Sequence, residues 1–411
     1  MHRIAYLFST FPGLSTTFMQ HQVAATRRLG LDALLFSTRA PKPGGYHPQD
    51  KGLYQETRYL SRMGLLPYLK ENVMAMAVSP ASYWKGIKLA LTLSDHFPWQ
   101  RLRNFMHLAG AAVLAKQVKN NGGCHIHVHF AFGAAGVAIF ADAIANIPYS
   151  ITIHGSDVLL PRPLTKEKLK RARFVVSNCQ FHINNLRRRY PSLESQRFYI
   201  VRGGLNTQTG KWAKYTAPLI GRPLSLLNVA RLEPVKAQDV LIKACALLNE
   251  RGVEFICRIV GDGPEKESLE HLIRKLGLSD SVLLLGRRYQ DEVNHLYDIS
   301  QVVVLSSLSE GTPMTLIEAM AKARPVVAPD ITALPEMVTH GENGFLFQKA
   351  SPEDLADKLM KFSKTPDLVT QMGLAGRKRA ENDFDEDKNA RHLISIFAKE
   401  VPVLELAVNG V

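Results

Sequence analysis

The run Val302-Val303-Val304-Leu305 constrains what this chain can fold into more than any other stretch. A short, continuous, β-branched apolar run reads as a strand buried on both faces, the habit of parallel sheets. It feeds a loop, Ser306 to Gly311, and then a helix-forming segment from Met314 to Ala323. Thr312 is placed to cap that helix and Pro313 to open it. Strand, loop and helix in this order form part of a β–α–β unit, and such units specify an α/β fold. The helix start offers free amides near Met314 and Thr315, a ready place for an anion. Glu310 precedes it in the loop, and Glu318 lies on the helix behind it. This suits a phosphate at the helix tip with hydroxyls held by carboxylates beside it.

The same pattern recurs along the chain. Ile4 to Phe8 leads through a loop containing Gly13 into a helical segment ending near Leu29. Apolar runs at 31–38, 124–130, 148–153 and 174–176 read as further strands of a first domain. Runs at 225–229, 255–260, 282–285 and 325–328 read as strands of a second. A length of 411 residues with 46% hydrophobic content suffices for two cores. No apolar run reaches 18 residues, so no segment is expected to span a membrane. The start, MHRIAYLFSTFP, reads as a strand and not as an export signal. Cys124, Cys179, Cys245 and Cys257 have neither metal nor disulfide spacing. A reduced, cytoplasmic setting is therefore expected.

Glu310 and Glu318 stand eight positions apart, with Gly311-Thr312-Pro313 after the first and Ala319-Met320 after the second. Pro325-Val326-Val327-Ala328, Leu334-Pro335-Glu336 and Gly341-Glu342-Asn343-Gly344-Phe345-Leu346 follow. Over most of the C-terminal half, these words resemble retaining glycosyltransferases of family 4. The resemblance implies the GT-B fold, two facing Rossmann-like domains with a cleft between them. The expected divisions are 1–205 on the acceptor side, 206–385 binding a nucleotide sugar, and 386–411 as a helix returning to the first domain.

The resemblance also implies roles. Arg231 and Lys236 match the family's cation pair on the donor diphosphate, whose developing charge must be neutralised as it leaves. Ala230 and Ala237 stand where the family has glycine. Gly261 and Gly263 border the nucleotide, and Arg287 follows the strand beside the base. Glu310 holds sugar hydroxyls and Glu318 the ribose, with Gly311, Thr312, Pro313, Met314 and Thr315 around the phosphate. His154, at the end of a strand, lies beside the sugar and completes a catalytic set with Glu310, Arg231 and Lys236. Asp157 either orients His154 or caps the next helix. Gly13 lies against the donor phosphate; Ser15, Thr17, His129 and Asp157 are acceptor-side residues. The first loop lacks the family's double glycine, and Thr16-Thr17-Phe18 lacks the acid found in exopolysaccharide transferases. The departing phosphate takes the acceptor proton, so neither a protein base nor a metal or other cofactor is implied. The expected acceptor is a growing bacterial polysaccharide, carried on lipid. Nucleotide-sugar epimerases, sugar phosphorylases and a non-catalytic binding partner are the rival classes.

A formal net charge of +14 points to an anionic partner. Nucleic acid fits least, since no aromatic-plus-basic strand motif or zinc-finger spacing occurs. An anionic membrane surface at the inner face of the cell membrane fits better. The segment 53–119 mixes Trp84, Lys85, Lys88, Trp99, Arg101 and Arg103. It reads either as a lipid-headgroup contact or as inserted helices with their basic residues in water. His125, His127 and His129 alternate on one strand face, in a line, whereas tetrahedral zinc needs converging ligands. The Asp-x-Asp within 383–387 opens a helix and suits its dipole, so Asp385 is expected to bind no metal and to be dispensable.

Overall fold

A computed structural model describes residues 3–14, 17–93, 99–160, 163–217, 221 and 223–402. Ser15 and Thr16 lie outside the described residues. The chain divides into two compact units, 1–201 with 387–411, and 202–386.

The first unit is built on seven parallel strands: β1 (Arg3–Thr10), β2 (Ala33–Arg39), β3 (Arg58–Tyr59), β4 (Gly123–His129), β5 (Tyr149–Ile153), β6 (Val175–Ser177) and β7 (Phe198–Ile200). Their order is β3-β2-β1-β4-β5-β6-β7. The second has six: β8 (Leu224–Val229), β9 (Phe255–Val260), β10 (Val282–Gly286), β11 (Val302–Val304), β12 (Val326–Pro329) and β13 (Gly344–Phe347), ordered β10-β9-β8-β11-β12-β13. The central runs are buried, and largely apolar apart from the histidines of β4, because helices cover both sheet faces. β1 pairs with both β2 and β4, and β8 with both β9 and β11. Each pair of neighbours is a point where the strand order reverses, and there the loops beyond the strand ends part to leave a crevice.

Two short edge strands, β3 and β7, carry no readable periodicity, and β3 interrupts a segment read as helical. The helix Glu386–Glu400 packs Leu393, Ile396 and Phe397 against Ile4, Tyr6, Phe174 and Val176 of the first unit. Arg197 and Tyr199 fasten its end, binding Glu400 at 2.6 Å and 2.5 Å.

Between β3 and β4 lie the helices Leu65–Val78, Pro80–Thr92 and Gln100–Asn120. The first fully buries no residue, though it is largely apolar. Leu65 and Leu66 are 76% exposed, Trp84 67% and Trp99 71%. Among the described residues no helix is long and apolar enough to cross a membrane.

Candidate functional site

In the second unit, the loops after β8 and β11 are sewn together at the reversal point. Leu308 N–H donates to Val235 O at 2.8 Å, and Ser306 Oγ donates to Lys236 O at 3.0 Å. These bonds bring Lys236 against Glu310: its Nζ donates to Oε1 at 2.6 Å. Ser307 Oγ donates to the same oxygen at 2.6 Å. Glu310 is 8% exposed, so this ion pair is largely shielded from water. Its backbone oxygen accepts from Thr332 Oγ1 at 2.7 Å, which fixes the loop.

The helix Met314–Ala321 begins directly behind this pair. Thr315 Oγ1 donates to Val229 O at 3.0 Å, locking the helix start to the end of β8. As the first helical residues, Met314 and Thr315 have amides that point outward from the helix tip. The capping expectation is corrected here. Pro313 is itself the cap residue, with φ −70° and ψ 124°, and Thr312 Oγ1 is buried without a partner. Proline's fixed φ suits the cap geometry as well as the first helical turn. The helix also ends two residues early, because Ala323 turns left-handed at φ 54°. Glu318 accepts from Tyr297 OH at 2.9 Å. Burial, with Glu318 next, raises the Tyr297 pKa well above its usual value, so the phenol stays a donor.

Arg231 is exposed and paired with Glu233. Gly261 and Gly263 serve its loop. A methyl on Gly261 would lie 1.8 Å from Ala230 O, and one on Gly263 2.3 Å from Leu232 O. Their φ values, 152° and 158°, also belong to glycine. Arg287 follows β10 at the surface, beside Gly286. Gly311 lies in the β11 loop between Glu310 and Thr312.

The reversal point of the first unit has a different chemistry. His154 ends β5 and heads the short helix Gly155–Leu159. Its ring stacks on His129 at 5.6 Å between centroids and lies 4.7 Å from Phe18 and 4.4 Å from Phe130. His129 Nδ1 and His154 Nε2 are 3.3 Å apart, one carrying the shared proton. Burial, with His129 and His182 next, holds the His154 pKa well below the usual range, so the ring is neutral. Asp157 accepts from His154 N–H at 2.8 Å and from Ala131 N–H at 2.9 Å. It therefore caps the short helix and ties the β4 and β5 loops together. Gly13 O accepts from Gln20 Nε2 at 3.3 Å, and Thr17 opens the helix Thr17–Arg28.

His129, expected on the acceptor side, lies inside the first unit's core. It is 1% exposed, with its ring against Tyr6, Phe8 and His154. His125 and His127 are consumed by hydroxyls. Ser150 Oγ sits 2.7 Å from both, and Thr152 Oγ1 2.8 Å from His127. Sequence reasoning missed Ser307, Tyr297 and Phe130, which orient Glu310, Glu318 and His154. Serine, tyrosine and phenylalanine carry no signal until the fold places them beside a charge or a ring.

Solved structures share this architecture. A glycosyltransferase from Rickettsia africae ESF-5 superposes with a TM-score of 0.73 over 98% of this chain and 100% of that one, at 19% identity. Anabaena HepE in complex with UDP gives 0.70, over 97% and 100%, at 17%. The fold is that of the GT-B glycosyltransferases, with two Rossmann-like domains. Residues 217–379 match the family model of glycosyl transferases group 1. WcaL of Salmonella typhimurium, named for colanic acid biosynthesis, is 25% identical over 96% of this chain and 99% of its own. AmsK of Erwinia amylovora, an amylovoran biosynthesis glycosyltransferase, is 33% identical over 43% of this chain and 45% of its own.

Proposed function

We propose that this protein is a retaining glycosyltransferase of family 4. It moves one sugar from a nucleotide-diphosphate donor to a growing, lipid-linked bacterial polysaccharide. The observation that carries this is the Lys236–Glu310 contact of 2.6 Å beside the start of the helix Met314–Ala321. A cation for phosphate and a carboxylate for hydroxyls stand together at one strand end. The names of WcaL and AmsK support a polysaccharide acceptor.

The donor diphosphate lies at the Met314 and Thr315 amides, with Lys236 and Arg231 as counter-charges. Glu310 accepts from sugar hydroxyls and Glu318 from the ribose. The bond from the anomeric carbon to the diphosphate oxygen breaks, and the acceptor oxygen bonds that carbon on the same face. The acceptor proton passes to the departing phosphate, so the charge balances without a protein base. His154 stays neutral at the strand ends of the first unit and adds no cation there. Arg231, Lys236 and the helix tip supply the positive charge, so no divalent ion is needed. A panel of UDP- and GDP-sugars, followed by thermal shift and turnover with EDTA, tests this. One donor stabilises the chain by mass action, and turnover survives EDTA. Stabilisation by none, or activity restored only by magnesium or manganese, overturns it.

The acceptor's lipid places the enzyme at an anionic membrane. Exposed Leu65, Leu66, Trp84 and Trp99 support an apolar contact, and Lys85, Lys88 and Arg101 stand exposed beside them. Each cation near such a surface contributes about 1 kcal/mol, so binding needs the apolar residues as well. Co-sedimentation with anionic vesicles should weaken with salt and in Trp84→Gln/Trp99→Gln. Equal binding to neutral vesicles would leave these residues as an ordinary surface.

A further inference from the structure

A cavity of about 290 Å³ in the first unit is lined by Ser9, near the end of β1, by Gln100, at the start of the helix Gln100–Asn120, and by Phe132 and Lys168. Phe132 is half-buried, and its ring stacks on Phe130 at 5.2 Å between centroids and 17° between planes. Phe130 in turn packs on His154. Its backbone is left-handed at φ 68°, an uncommon conformation for a bulky residue. The chain therefore turns sharply after β4, and a run of aromatic rings leads from His154 to the cavity. Two bonds to Ala131 hold this turn: its N–H donates to Asp157 at 2.9 Å, and its oxygen accepts from Lys168 Nζ at 2.9 Å.

The neutral polar groups of the wall are fixed by a chain of hydrogen bonds. Asn104 Nδ2 donates to Ala90 O and Leu93 O, so its Oδ1 is left as an acceptor. Gln100 Nε2 donates to that oxygen at 2.9 Å, which leaves Gln100 Oε1 as the remaining end of the amide. Gln100 is 3% exposed, and Oε1 has no partner among the described residues. Ser9 Oγ is buried and has none among them either. A buried acceptor and a buried hydroxyl are unfavourable when unpaired, and a group that both donates and accepts satisfies each of them. A sugar hydroxyl is such a group.

We propose that this cavity binds one pyranose ring of the saccharide acceptor, stacked on Phe132, with its hydroxyls on Gln100 Oε1 and Ser9 Oγ. The identification as acceptor rests on the transferase reading above; the sugar site itself does not. A pyranose has a face of C–H bonds and a rim of hydroxyls. The C–H face suits the negative face of an aromatic ring, and the rim suits the amide and the hydroxyl. An aromatic wall with a few placed polar groups is the usual make-up of a small-molecule site. The volume lies at the small end of such sites, about 300–1,000 Å³, and so suits one ring and not an oligosaccharide. Arg39 and Arg103, exposed residues of the same wall, are donors for further hydroxyls. A sugar on Phe132 stands one aromatic ring, Phe130, away from His154.

Saturation-transfer NMR tests this, with the methyl α- and β-pyranosides of glucose, galactose and fucose as probes. Saturation of the protein's aromatic protons should pass to the C–H bonds on one face of a bound pyranoside. Phe132→Tyr keeps the stacking ring and should keep the transfer. Phe132→Leu keeps apolar bulk without the ring and should weaken binding about two- to tenfold, the effect of one aromatic contact. Gln100→Met removes the acceptor and should weaken binding by a similar factor. Phe132 is half-buried, so its variants should fold, which circular dichroism checks. No transfer in wild type, or binding as tight as wild type in Phe132→Leu or Gln100→Met, overturns the site. Equal transfer to sorbitol, a polyol without a ring face, overturns it as well. The donor is the other source of a sugar ring. Transfer that survives saturation with a stabilising nucleotide sugar supports the acceptor, and transfer lost under that saturation assigns the ring to the donor and overturns the acceptor identification. A chain stabilised by a nucleotide sugar, but with no transfer to any pyranoside, overturns this inference alone. Transfer in a chain that binds no nucleotide sugar overturns the transferase reading and leaves the sugar site standing.

Discussion

The two units share a topology and differ in what they place at its reversal point. After β8 and β11 stands a shielded ion pair, Lys236 with Glu310. After β4 and β5 stands a stack of neutral rings, His129 on His154 with Phe130 against it. The histidines that burial holds neutral, His107, His125, His127, His129, His154 and His182, all lie in the first unit. One unit thus places an ion pair at its reversal point, and the other a stack of neutral rings. The same scaffold serves both because function is set in the loops beyond the strands.

The sharpest way to break this contrast is to remove the cations of the second unit. Arg231→Ala and Lys236→Ala should each lower turnover by about a hundredfold, as when one preorganised charge stabiliser is lost. Their stabilities should differ. Arg231 is exposed, and its loss should change folding little. Lys236→Ala leaves Glu310 nearly buried with only Ser307 bound, and should cost about 2 kcal/mol, less than a fully buried pair. Urea unfolding beside turnover with a verified donor checks both. Near-normal turnover in either variant removes that residue from the phosphate site.

The neutral rings of the first unit predict its response to acid. His182 is fully buried, both ring nitrogens lack partners, and burial lowers its pKa to about 4. The unfolded chain, with an ordinary pKa near 6.5, binds a proton that the folded chain refuses. Stability from this group is therefore full above about pH 6.5 and is lost as pH falls toward 4. His182→Leu should flatten the acid limb by up to about 1.4 kcal/mol per pH unit, with little change at neutral pH. Urea unfolding at neutral and mildly acidic pH measures this, and an unchanged slope would show that His182 is charged in the folded chain.

The second unit is the more legible of the two in sequence, and the reason is physical. Its site residues lie in short contiguous words after β8, β9, β10 and β11, and most carry a charge or a glycine. Gly261 and Gly263 stand where Ala230 and Leu232 press against them. In the first unit the signals are dispersed. The surroundings of His129 are set by ring contacts with three residues from two other segments, β1 and the turn after β5. The strands β3 and β7 are too short for periodicity to register. Lys168 looks like one of several cations on a basic helix, and only the fold turns it inward.

Asp385 illustrates the same limit, at smaller cost. Expected to suit the dipole of the helix it opens, it is also 2% exposed and accepts from Thr207 Oγ1 at 2.7 Å. The preceding helix, Asp367–Asp383, has already ended, so the acid is free to turn inward beside Leu205. Asp385→Ala should cost about 1–2 kcal/mol, because the buried Thr207 hydroxyl loses its acceptor, while turnover stays insensitive to EDTA. Unchanged urea stability would show that the Thr207 bond adds nothing.

The smallest effect concerns the loop that carries Arg231 and Lys236. Ala237, where the resembling family has glycine, holds a left-handed conformation at φ 45° and ψ 48° just before the helix Gln238–Glu250. A side chain there costs about 1–2 kcal/mol. Glycine removes that strain but adds about 0.4–1 kcal/mol of unfolded-state entropy. Ala237→Gly should therefore stabilise by less than about 1 kcal/mol, a rise of roughly 1–3 °C in Tm for a domain of this size. Gly261→Ala, across the same loop, should act in the opposite sense, because its methyl would meet Ala230 O at 1.8 Å. Differential scanning calorimetry of both variants checks the pair. A fall in Tm for Ala237→Gly would mean that the methyl packs usefully where it stands, and that the loop is shaped around alanine.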